Sequence, residues 1–107
     1  MAETHKHRLV YAPGVKAHLK AIDKQHHAQI RQAIEEQLIH KPDRETRNRK
    51  PLDDSEFWEG AWELRCGGRN RFRVFYQIDR DASEVLILAI GLKEKNELII
   101  GKERIKL

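Results

Sequence analysis

At 107 residues the chain holds about one domain, and a core of that size must recruit most of its apolar residues. Charged residues make up 36% and hydrophobic ones 39%, and the apolar run at residues 85–90 argues against disorder, so a globular domain with a heavily charged exterior is expected. Lys and Arg exceed Asp and Glu by 21 to 17, which favours acidic partners, while Cys66, the single cysteine, excludes an internal disulfide and a thiolate-rich zinc site.

The N-terminus lacks the apolar core of a signal peptide, and no apolar run approaches the roughly 20 residues needed to span a bilayer. A cytoplasmic protein with no membrane partner is expected. A first strand is predicted over residues 7–11, ended by Ala12-Pro13-Gly14. Val15, Leu19 and Ile22 then share one helical face, and after a break at Asp23-Lys24-Gln25 a second helix carries Ile30, Ile34 and Leu38 at spacing four. Two amphipathic helices joined this tightly predict a helical hairpin. Residues 41–60 carry Pro42, Pro51 and Gly60, are dense in charge and show no period; a loop that long is either functional or holds a hidden element.

The last third predicts sheet. Strands are expected over residues 61–66, 71–79 and 85–92, joined by the turns Gly67-Gly68-Arg69-Asn70 and Arg80-Asp81-Ala82-Ser83, and connections this short make antiparallel neighbours. The tail after Lys93 contains Leu98-Ile99-Ile100 and Ile105 without a defined form. The expected class is therefore α+β, a single domain over residues 1–107 with a small antiparallel sheet packed on an N-terminal two-helix hairpin.

Alternation sorts the charges, because residues two apart on a strand share a face. Phe72, Val74, Tyr76 and Ile78 take one face, and Arg71, Arg73, Phe75 and Gln77 the other. With Trp62 and Leu64 turned to the helices, Glu63 and Arg65 join the arginine face. That face is either a solvated surface with cross-strand ion pairs, worth about 0–1 kcal/mol each, or a polyanion site with Phe75 free to stack a base. Arg44, Arg47, Arg49 and Lys50 form a second basic cluster in the long segment. The six histidines show no metal-ligand spacing, so no metal site and no cofactor are expected, and Cys66 beside Gly67-Gly68 has no catalytic partner.

The segment Trp62-Glu63-Leu64-Arg65, the Gly-Gly turn, and Arg71-Phe72-Arg73-Val74-Phe75-Tyr76-Gln77-Ile78-Asp79 resemble the core signature of RelE/ParE toxins, as does the strand ending Ala89-Ile90-Gly91-Leu92-Lys93. The N-terminal strand, the helix pair and Lys50-Pro51-Leu52 agree in order, so the resemblance spans residues 7–95. It implies the toxin of a type II toxin–antitoxin pair, partnered by a small antitoxin. RelE-like members cut messenger RNA on the ribosome; ParE-like members inhibit DNA gyrase.

The resemblance places Arg73 at the arginine that holds the scissile phosphate in RelE-like nucleases and Arg65 at a basic position common in the family. Departures accompany it: the two lysines of well-known RelE members are absent from Ala61-Trp62-Glu63, their later arginine corresponds to Lys93, and their catalytic tyrosine falls near Ile99. The leading expectation is a ribosome-dependent endoribonuclease with Glu63 as base, Arg65 and Arg73 as phosphate clamps and Lys93 as a further electrostatic contact. Arg47, Arg49, Lys50 and Arg71 would then hold RNA backbone. The alternatives are a non-enzymatic gyrase inhibitor or an inactive homologue that retains antitoxin binding.

Overall fold

The computed structural model describes residues 6–52 and 58–106, so residues 53–57 of the long segment lie outside the described residues. Strand β1 (Arg8–Tyr11) leads to α1 (Val15–Lys20), and a 3₁₀ turn (Lys24–His26) runs into α2 (His27–Leu38). Six strands follow: β2 (Arg49–Pro51), β3 (Trp62–Cys66), β4 (Phe72–Asp79), β5 (Glu84–Glu94), β6 (Glu97–Ile100) and β7 (Glu103–Lys106).

At six residues α1 is too short to persist alone, so packing of Val15 and Leu19 against the sheet must hold it. The carboxylate of Asp23 accepts from the Gln25 N–H at 3.1 Å and fixes the turn into α2. Ile30, Ile34 and Leu38 then bury one stripe of α2 in the main core, where they meet Leu64, Phe72, Val74, Tyr76, Val85, Ile87 and Ile90. The Tyr76 hydroxyl, inside that core, donates to the Pro42 carbonyl at 2.8 Å and ties down the start of the long segment.

The sheet runs β2-β3-β4-β5-β6-β7, every neighbour antiparallel, with β1 added in parallel along β5. The expected antiparallel sheet is present, and β1 joins it as one parallel strand. The reason lies in β5: its 11 residues pair with β4 along one edge, while β1 and β6 share the other, at residues 84–87 and 91–94. The long segment hides β2, and the tail forms the β6–β7 hairpin. A bulge where Phe75 and Tyr76 face Ala89 and Ile87 leaves Leu88 as the extra residue. It lets Ile87 and Ile90 both enter the helix-side core, while Ala89 turns to the opposite face.

Between β1 and β6 the edge of β5 has no strand partner among the described residues at 88–90, and α1 fills the notch: the Ile90 N–H donates to Nδ1 of His18 at 3.3 Å. The nitrogen accepts only while unprotonated. Burial lowers the His18 pKa below its ordinary value, with Glu103 opposing the shift. A histidine depressed in the folded state contributes stability above its unfolded pKa of about 6.5 and loses it as pH falls through the folded value. The urea midpoint should fall between about pH 7.5 and about pH 5.5, and by less in His18→Gln. Equal falls in the two proteins would refute this role.

Candidate functional site

The expected site residues divide sharply once placed. Glu63, Arg65 and Arg73 do come together: Arg65 and Arg73 are direct cross-strand partners, and Glu63 lies two residues from Arg65 on the same face. The Glu63 carboxylate accepts from Arg65 Nε at 2.9 Å and lies 3.5 Å from Arg73 Nη1. Arg73 Nε donates to the Asn70 carbonyl at 3.1 Å, which anchors the β3–β4 turn to the cluster.

The face carrying this cluster is covered. Glu63 is 7% exposed and Arg73 8%. Phe75, expected as an open stacking platform, is buried beneath Trp58, whose ring stacks on it at 5.4 Å, and belongs to a second small core with Ala89 and Leu98. Leu52, Ile100 and Ile105 complete that core. Long-segment and C-terminal residues therefore convert part of an apparently solvated sheet face into interior. Burial pulls the Arg73 pKa below its ordinary value, with Glu63 opposing and Arg65 adding to the shift.

The other expected residues are scattered. Arg49 is corrected from a loop cation to a core residue: it is 7% exposed, and Nη1 donates to the carbonyls of Gln37 and Lys41, the latter at 2.8 Å. The Gln37 carbonyl lies in the last turn of α2, where a cation is favoured and orphan acceptors need donors, and Lys41 follows just beyond it. Arg71 is also corrected. It precedes β4 in helical backbone geometry, so alternation does not reach it, and its guanidinium meets His26 Nε2 at 3.2 Å and the Phe72 ring at 5.3 Å.

Lys50 pairs across the sheet with Glu63 and is exposed, as is Arg47 in the turn before it. Lys93 is half-buried at the end of β5, with no ion pair to the cluster among the described residues. On this face Lys50 and the partly exposed Arg65 are open to an anion, while the Glu63–Arg73 pair is closed. Cys66 is buried, which pushes its thiol pKa up to about 11 and leaves it protonated at neutral pH. No group of three His, Cys, Asp or Glu side chains gathers as a metal site among the described residues.

Sequence reasoning missed Trp58, the Asn70 carbonyl and the β6–β7 hairpin. The hairpin had a local signal: Leu98 and Ile100 alternate, and Lys95 and Gly101 adopt the positive φ that tight turns demand.

A family model for the ParE toxin of type II toxin–antitoxin systems matches residues 9–97. The chain belongs to the RelE/ParE family of type II toxins. Nearly all of the β6–β7 hairpin lies beyond the matched residues. The toxin–antitoxin complex RelBE2 of Mycobacterium tuberculosis contains a chain of the same fold, with a TM-score of 0.66 and 22% identity over 82% of this chain and 99% of that one. A search of curated proteins finds no match. No helix among the described residues is long and apolar enough to cross a membrane.

Removing one partner from a buried ion cluster costs more than the pair contributes, because the remaining charge is stranded. Glu63→Gln should therefore destabilise the toxin by about 3–5 kcal/mol in urea unfolding. A loss below about 1 kcal/mol would mean that Glu63 is in effect solvent-exposed.

Proposed function

We propose that this toxin arrests growth by binding a protein target, as ParE-like toxins bind DNA gyrase, and that a cognate antitoxin silences it in the cytoplasm. One observation carries the reading: the base and the clamp that RNA cleavage would require, Glu63 and Arg73, are buried against each other. A metal-free cut needs a base within reach of the ribose 2′-OH, and a buried carboxylate held by two guanidiniums does not offer one. The ParE family match agrees with this reading.

The antitoxin partner has a natural seat in the apolar groove between β1 and the helices. Leu9, Tyr11, Leu19, Ile30 and Ile34 line it, and Tyr11 is an exposed large hydrophobic side chain. Arg31, His27 and Glu35 border the same groove, which suits an amphipathic antitoxin segment with charged residues at its edge.

Ribosome-dependent cleavage of messenger RNA is the second reading, favoured by Lys50 and Arg65 standing open on one face. Two assays separate the readings: gyrase supercoiling, and primer extension on a defined message in a reconstituted translation system. Inhibited supercoiling with intact message is expected. Cuts that appear only on ribosome-bound message, and vanish in Arg65→Ala, would replace the protein-target reading with the nuclease one.

A further inference from the structure

The second face of the sheet is apolar beyond the small core that Phe75 anchors. Trp58 and the β6–β7 hairpin lie over Phe75 and Ala89, and at the edge of that cover the Gln77 amide donates to the Glu59 carbonyl at 2.7 Å. Further along, toward the β4–β5 turn, a groove of about 580 Å³ opens between β1, β4 and β5. Its bed is Val10 and Leu86, direct partners across the parallel β1–β5 pair. Val85 and Ile87 enter the helix-side core, so alternation turns Leu86, and Val10 with it, to the opposite face. Both are half-buried, and neither belongs to either apolar core. Strand β1 therefore has two apolar sides: Leu9 and Tyr11 line the antitoxin groove, and Val10 lines this one. A strand with one solvated face alternates apolar with polar residues, whereas one that is apolar on both sides is covered on both.

The rim of the groove is acidic, against the trend of a chain with a net charge of +4. Asp79, Asp81 and Glu84 stand at its turn end. Arg8 neutralises Glu84, and Arg80 is drawn away to Asp43 at 2.7 Å. The Asp79 carboxylate accepts from the Ala82 N–H at 3.0 Å and so shapes the turn. Asp79 and Asp81 are exposed, and neither has an ion pair among the described residues. Two carboxylates without cations, beside an apolar pair outside both cores, are complementary to a partner that carries basic charge next to an apolar side chain.

We propose that this groove docks the toxin's protein target, through a target segment that seats an apolar side chain on Val10 and Leu86 and a lysine or arginine by Asp79 and Asp81. The inference rests on the protein-target reading and adds to it the surface and the chemistry of the partner. A second copy of the chain fits less well, because a two-fold contact through this groove sets the two acidic rims against each other. Nucleic acid is repelled by the same rim. The groove lies across β1 from the antitoxin groove, so damage to it separates toxicity from antitoxin binding.

Two variants test the proposal: Asp81→Lys, which reverses an exposed charge in the turn, and Val10→Gln/Leu86→Gln, which makes the bed polar. Urea midpoints and binding to the cognate antitoxin should match the wild type in Asp81→Lys, whatever the strand variant does to folding. The toxin concentration that half-inhibits gyrase supercoiling should rise about fivefold in Asp81→Lys and about tenfold in the double variant, with growth arrest weakened in both. Where the wild type leaves both supercoiling and message intact, loss of arrest in the folded Asp81→Lys variant still supports the groove, with another protein as the target. Inhibition and arrest at wild-type strength in both variants would overturn the proposal and leave the protein-target reading standing. A wild type that cuts ribosome-bound message and spares gyrase would overturn both. Stronger inhibition by Asp81→Lys would mean an acidic partner, and a wild-type dimer in sedimentation that the double variant abolishes would mean a second copy; either overturns the proposal.

Discussion

A carboxylate and a guanidinium taken out of water together must be matched almost completely, because desolvation costs each of them several kcal/mol. Glu63 and Arg73 meet that condition through Arg65 on one side and the Asn70 carbonyl on the other. Much of the sheet's second face is arranged around this. The β3–β4 turn must bring Asn70 back under Arg73, and Gly67 makes that return possible: at φ +82° its α-carbon sits so close to Phe72 that an added Cβ would lie 2.4 Å from the ring. Trp58 and the C-terminal hairpin cover Phe75, the cross-strand partner of Glu63 on the same face. Cover and cluster depend on each other, since an open face would need no matched partners and an unmatched face would not tolerate a cover.

Strand β5 makes the cover possible. Its bulge and its small residues shape a shallow bed on the second face, with Ala89 opposite Phe75 and Gly91 opposite Arg73. A Cβ on Gly91 would meet Leu98 Cδ1 at 2.9 Å and Ile100 Cγ1 at 3.0 Å, so glycine is what lets the hairpin side chains settle beside the cluster. On the other face the same strand carries Ile87 and Ile90 into the core with α2. One strand thus serves two cores, and its edge leaves the notch that His18 fills.

What was legible in the sequence was local. The three long strands, the helix pair and the sharing of one face by Glu63, Arg65 and Arg73 all follow from period and turn chemistry. What lies on top of that face did not follow, because alternation states which side chains are neighbours and is silent about distant segments that cover them. Phe75 and Glu63 read as exposed for that reason. Arg49 read as a loop cation because its partners are carbonyls at a helix end, a purely tertiary relation. Arg71 differs in another way: it lies one residue before the start of β4, where alternation does not hold. The parallel placement of β1 also has no local signal, since it depends on the free length of β5.

The central claim is that the Glu63–Arg73 pair holds the fold and does not perform chemistry. Replacing both partners at once tests it most directly, because apolar residues of similar volume remove both charges together and strand neither, a change that is often neutral for stability. Glu63→Leu/Arg73→Met should fold, bind antitoxin and still arrest growth when expressed alone. A double variant that folds and binds antitoxin but permits normal growth would show that the pair acts in the toxic activity itself and would contradict the account.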